Sequence, residues 1–183
     1  DVYKRQVLGR FARAHPKVRI EGRVARNDEL KAKIASGQLD LALAWDDGAE
    51  NTRAQPIASL PLHWLGPAEA DGLRYCAEGA PVPLVALEAP CILRTLACEQ
   101  LDRHGLSWRL AFVSPSLGGM WAATSAGLGV AVRTSFGIPP SVKPLDPAST
   151  GLPELPALKL ALLRARKDIG PTGEHLAAIM TEA

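Results

Sequence analysis

The chain has 183 residues, 47% of them hydrophobic, with 21 Lys or Arg against 19 Asp or Glu and a net charge of +2. That much apolar material suffices for one core or two small lobes. The balanced charge, without a Lys/Arg-rich run, leaves no electrostatic footprint for nucleic acid, and no apolar stretch nears the roughly 18–20 residues of a membrane span.

Asp1–Arg5 does not resemble a domain opening and no secretory leader is visible, while Val7, Leu8, Phe11 and Ala14 already have helical spacing. A fragment cut on its N-terminal side, with an exposed apolar patch on this opening helix, is the expectation. His15-Pro16 ends the helix, because the residue before proline disfavours α conformation. Val18–Val24 alternates apolar and polar with period two and predicts a strand. Asn27 or Asp28 can cap a helix carrying Leu30, Ile34 and Ala35, which Gly37 ends. Leu39–Trp45 is the apolar run of a strand buried on both faces.

Ile57–Leu65 predicts another strand, Ala68–Ala80 a linker, and Leu84–Leu87 a short buried strand. Cys91–His104 is helical by its Ile92, Leu93, Leu96 and Leu101 spacing and stops at Gly105. Trp108–Val113 is a strand, Ser114-Pro115-Ser116 opens a helix through Ala126 that Gly127 ends, and Gly129–Val132 is a strand. A Pro-rich stretch, Ile138–Pro156, precedes a last strand at Leu158–Leu163 and a last helix at His175–Met180. Alternating strands and helices imply an α/β fold with mostly parallel sheet. Two lobes are expected, the first from 1–80 and 143–183, the second from 81–142, with Leu158–Leu163 returning to the first lobe's sheet.

Two stretches carry a family resemblance. One runs from Phe11 through His15-Pro16-Lys17-Val18 to Gly37-Gln38-Leu39-Asp40-Leu41-Ala42. The other is Trp121–Val132, with Ala126-Gly127-Leu128-Gly129-Val130-Ala131-Val132 at its end. Together they resemble the effector-binding domain of LysR-type bacterial transcription regulators. The resemblance implies two Rossmann-like lobes of the type 2 periplasmic-binding-protein kind, with a small-molecule effector in the cleft between them. It also implies a homo-oligomer, and DNA contact only through a winged helix-turn-helix domain upstream that this sequence lacks. A solute-binding protein of a transport system with the same fold is the alternative.

Several residues are candidates for ligand contact. At Ser114-Pro115-Ser116 a strand ends and a helix begins. Ligands of open α/β sheets collect beyond the carboxyl ends of strands, and the free N–H groups of a helix start favour an anion. Ser116 could equally be only an N-cap. Cys91 opens a helix, where a thiol can be activated, or it packs as a small residue. Arg94 could pair a carboxylate or stay solvated. Asn27 and Asp28 could line the cleft or cap a helix, and Trp45 could stack on a ligand or fill core. Cys76, Cys91 and Cys98 show no CxxC and the four histidines no zinc spacing, so no metal or cofactor is expected and the setting reads as reduced and cytoplasmic. No catalytic motif appears, and no enzymatic activity is expected.

Overall fold

The computed structural model describes residues 9, 11–46, 48, 54–69, 79–166 and 168–182. They form two compact units, one from residues 1–59 and 159–183 and the other from 60–158. The chain passes between them inside two strands, β2 (Ala54–Pro67) and β7 (Ala157–Arg164). The composition-based division had placed the passages at 80/81 and 142/143.

In the first unit, α1 (Asn27–Ala35) packs on β1 (Leu41–Trp45), which pairs antiparallel with β7 from Leu41 opposite Arg164 to Trp45 opposite Leu160. The returning strand therefore lies in the first unit's sheet. Ile34, Ala42, Ala44, Ala161 and Leu163 form the core here. Small Ala residues at alternate positions of β1 let α1 approach closely, and the burial of β1 alternates rather than covering both faces. The α5 helix (Gly170–Glu182) contributes His175, whose Nδ1 lies 2.7 Å from Nε2 of His15 at the end of a helical turn over residues 11–14. Phe11, 1% exposed, packs against both rings in tilted geometry. The predicted apolar patch is thus not formed by Phe11, and Val7 and Leu8 lie outside the described residues.

Val18–Val24 is not a strand. It has no regular secondary structure and no ladder partner among the described residues, and Val24 is 86% exposed. Alternation reports a strand only when a neighbouring strand covers one face and takes the hydrogen bonds.

The second unit holds β3 (Val82–Leu87), α2 (Ile92–Arg103), β4 (Trp108–Ser114), α3 (Leu117–Ser125) and β5 (Ala131–Thr134). β3 and β4 pair in parallel, from Val82 opposite Trp108 to Leu87 opposite Ser114. On the other side of β3, Val85 donates to the Val130 carbonyl and Val130 to that of Pro83, both at 2.8 Å. A Cβ on Gly129 would sit 2.3 Å from the Pro83 oxygen, so glycine is required for this approach. Gly127, at φ +75°, closes α3 by donating to Thr124 while Leu128 donates to Ala123. This is a Schellman end that an L side chain would strain. The two glycines of the Ala126–Val132 motif therefore have separate jobs, one ending a helix and one admitting a strand.

β2 pairs antiparallel with β5 and, beside it, with β6 (Val142–Pro144). Parallel pairing was expected to dominate. β3–β4 and the Leu84–Val130 bridge are parallel, whereas β1–β7, β2–β5 and β2–β6 are antiparallel. The Pro-rich stretch also holds more than a connection. Besides β6 it contains α4 (Pro147–Thr150), capped by Asp146 accepting from Ala148 and Ser149. Pro153 accepts from Trp64 Nε1 at 2.7 Å, which satisfies the indole of a side chain 1% exposed. Leu65, Val85, Met120, Ala123, Ala131 and Val142 make the second core.

Candidate functional site

The parallel register of β3 and β4 brings their carboxyl ends side by side, with the Glu88 N–H donating to the Ser114 carbonyl at 3.0 Å. Each strand then leads into a helix, β3 through Cys91 into α2 and β4 through Ser114-Pro115-Ser116 into α3. Five of the eight candidates, Ser114, Pro115, Ser116, Cys91 and Arg94, are gathered at this one sheet end.

The Ser114–Ser116 turn is tightly built. Ser114, 4% exposed, donates through Oγ to the Ser116 carbonyl at 2.9 Å and accepts from the Ser116 N–H at 3.1 Å. Ser116 Oγ accepts from Gly119 N at 3.2 Å, so it is the N-cap of α3. A Cβ on Gly119 would lie 2.4 Å from Ser114 Oγ. Among the described residues, the N–H groups of Leu117 and Gly118 meet no protein acceptor. They are the orphan donors of a helix start, where the positive end of the helix dipole favours an anion. Gly118 leaves the space beside them open.

Next to this turn, a concavity of about 320 Å³, counting its open mouth, lies within the second unit. Cys91, Arg94 and Arg133 line it together with apolar residues including Val85, Leu93, Met120 and Val132. Cys91 is the N-cap of α2 and makes no capping bond through its side chain. Arg133 escaped the sequence reading. The signal for it was a lone charge directly after the apolar run Val130–Val132, at a half-buried position between buried Val132 and Thr134. Burial pushes the Arg133 guanidinium below the ordinary arginine value, while the nearby Cys91 thiol acts the other way. Burial also raises the Cys98 thiol, against a smaller pull from Arg94. Cys98 is therefore a poor nucleophile. Cys76 lies outside the described residues.

The remaining candidates belong to the first unit. Asn27 does not cap its helix, since the N-cap of α1 is Arg26, which makes no side-chain capping bond. The Asn27 amide instead clamps the end of β1, accepting from Trp45 N–H at 2.7 Å and donating to the Trp45 carbonyl at 3.1 Å. That two-point bond outcompetes the cap, because it satisfies both polar groups of a strand end. Asp28 sits exposed in the first turn, and Trp45 is half-buried. Among the described residues no group of His, Cys, Asp and Glu could hold a metal, and no helix is long and apolar enough to cross a membrane.

Comparison with known proteins agrees with this arrangement. Among relatives in sequence, the HTH-type transcriptional regulator PecT of Dickeya dadantii (strain 3937) is 29% identical over 158 residues, covering 86% of this chain and 48% of PecT. The chain thus spans about half the length of that relative. Among solved structures, the regulatory domain of MexT, a transcriptional activator in Pseudomonas aeruginosa, superposes with a TM-score of 0.77 at 18% identity, covering 97% of this chain and 90% of that one. The Synechocystis PCC6803 CcmR regulatory domain, solved in complex with 2-PG, gives 0.73 at 17% identity, with coverages of 98% and 90%. These likenesses give the fold, the two-lobed α/β architecture of type 2 periplasmic binding proteins. The LysR substrate binding domain family matches residues 5–182, nearly the whole chain, and this chain belongs to that family.

Proposed function

We propose that the chain is the effector-sensing part of a bacterial transcription regulator and that it recognises a small organic anion. The observation that carries this is the shared carboxyl end of β3 and β4, where a helix start with two free N–H groups and a cationic concavity lie next to each other. The Ser114-Pro115-Ser116 turn presents the N–H groups of Leu117 and Gly118, with Cys91 and Arg94 beside it. Asn27, Asp28 and Trp45 are proposed as effector contacts of the first unit. The complex of the CcmR regulatory domain with 2-PG supports a small ligand for this fold.

The work is binding rather than catalysis. Effector binding shifts an equilibrium only by its differential affinity for two arrangements, and about 1–3 kcal/mol of coupling is typical. The response passes to DNA through a separate winged helix-turn-helix domain, within a cytoplasmic homo-oligomer. The balanced charge of this chain supports that division of labour.

The test is made in the full-length regulator, once a panel of small carboxylates screened by thermal shift yields an effector. Ser114→Ala and Ser116→Ala together are expected to weaken effector affinity and the reporter response in parallel. Wild-type values for both, with the fold intact, would reduce the turn to a cap.

A further inference from the structure

The concavity of the second unit contains an electrostatic imbalance. Two guanidinium groups, Arg94 and Arg133, line it, and neither makes a hydrogen bond or ion pair among the described residues. Arg133 projects from β5 between buried neighbours, so its charge is partly withdrawn from water. A desolvated, unpaired cation is costly, and proteins ordinarily supply a carboxylate to it. Apart from the Cys91 thiol, the surrounding walls are largely hydrocarbon, from Val85, Leu93, Met120 and Val132. The first turn of α2, which opens at the same place, carries no acidic residue.

We propose that this concavity is a carboxylate-binding site, with Arg133 as the anchor, Arg94 as the second donor, and the aliphatic walls holding a short apolar body. The proposal rests on the effector reading and deepens it by naming the anion's chemical class and an anchoring residue. A guanidinium presents parallel N–H groups that match the two oxygens of a carboxylate. A phosphate would bring a third oxygen and further charge against walls that are mostly hydrocarbon.

The experiment uses the 183-residue chain and two probes of equal shape, isobutyrate and its neutral amide isobutyramide, titrated while amide resonances are followed. Isobutyrate is expected to shift Leu93, Val132 and Arg133 saturably, with isobutyramide about tenfold weaker or more, because the amide cannot form the charge-assisted fork. Arg133→Met is expected to weaken isobutyrate by about tenfold or more, Arg133→Lys by less, since lysine keeps the charge and loses the fork. Without any anion, Arg133→Met should melt at a higher temperature than the wild type, which also shows that the variant folds. Equal binding of acid and amide, equal affinity in wild type and Arg133→Met, or no saturable shift in the wild type would each overturn the site. Failure of the effector reading shows up separately, as a full-length regulator whose reporter ignores every carboxylate tested.

Discussion

At the scale of single residues, the Ser114 hydroxyl fixes what Gly119 can be. Because a Cβ at 119 would collide with that Oγ, Gly119→Ala is expected to destabilise the chain by about 1–3 kcal/mol, as overpacking does. Ser114→Gly should restore part of the loss in the double variant, since it removes the obstructing atoms, and a double-mutant cycle in urea measures the coupling. If the two losses simply add, the collision is not the cause. Ser116→Ala should cost about 1 kcal/mol through the lost N-cap, whatever the ligand. Cap and site are thus separable only by reading stability and ligand affinity together. Arg133 makes the complementary point. Nothing in a one-dimensional pattern distinguishes a strand arginine that reaches water from one that turns toward a cavity, because the difference lies in what α2 places opposite.

At the scale of elements, glycines were the most legible signals. Gly37, Gly105 and Gly127 end their helices where they were expected, since a helix that must turn back needs a residue of positive φ. The strand at Leu41–Trp45 and the helices opening at Cys91 and Ser116 also emerged from local chemistry alone. What stayed hidden depended on distant partners. β6 and α4 exist inside a Pro-rich stretch because β2 and Trp64 recruit it, and Asn27 serves β1 rather than its own helix. Asn27→Ala is therefore expected to cost about 1–2 kcal/mol in urea unfolding, as it strands two strand-end groups of Trp45.

The α1 helix also carries a pH dependence. The Lys33 side chain, 2.8 Å away, holds the Glu29 carboxyl below its ordinary value of 4.5. A lowered folded value means that the pair's contribution is present above the unfolded value and fades as pH falls through the folded one. The stability difference between wild type and Glu29→Gln should therefore be largest above pH 4.5 and shrink on acidification below it. A difference that grew on acidification would contradict the pairing.

At the scale of the whole molecule, the two units meet the chain twice, each time within a continuous strand. Such a strand shows no change of composition where it passes from one unit to the other, which explains why a division based on loops settled elsewhere. The same scale governs DNA. With a net charge of +2 and no basic cluster in the sequence, the chain by itself should give no mobility shift of submicromolar affinity at physiological salt. A shift of that strength would place DNA contact within these residues.

The uncovered run at Val18–Val24 has a consequence in time rather than in structure. Its amide groups from residue 19 to 25 meet no backbone acceptor among the described residues, whereas β1 and β7 exchange ladder bonds along their length. In heavy water, deuterium should enter the run near the rate of an unprotected peptide, while the ladder amides wait for rarer openings. The run would thus serve as a clock for its own covering. Any strand that came to lie along it would slow uptake there, and nowhere else need change.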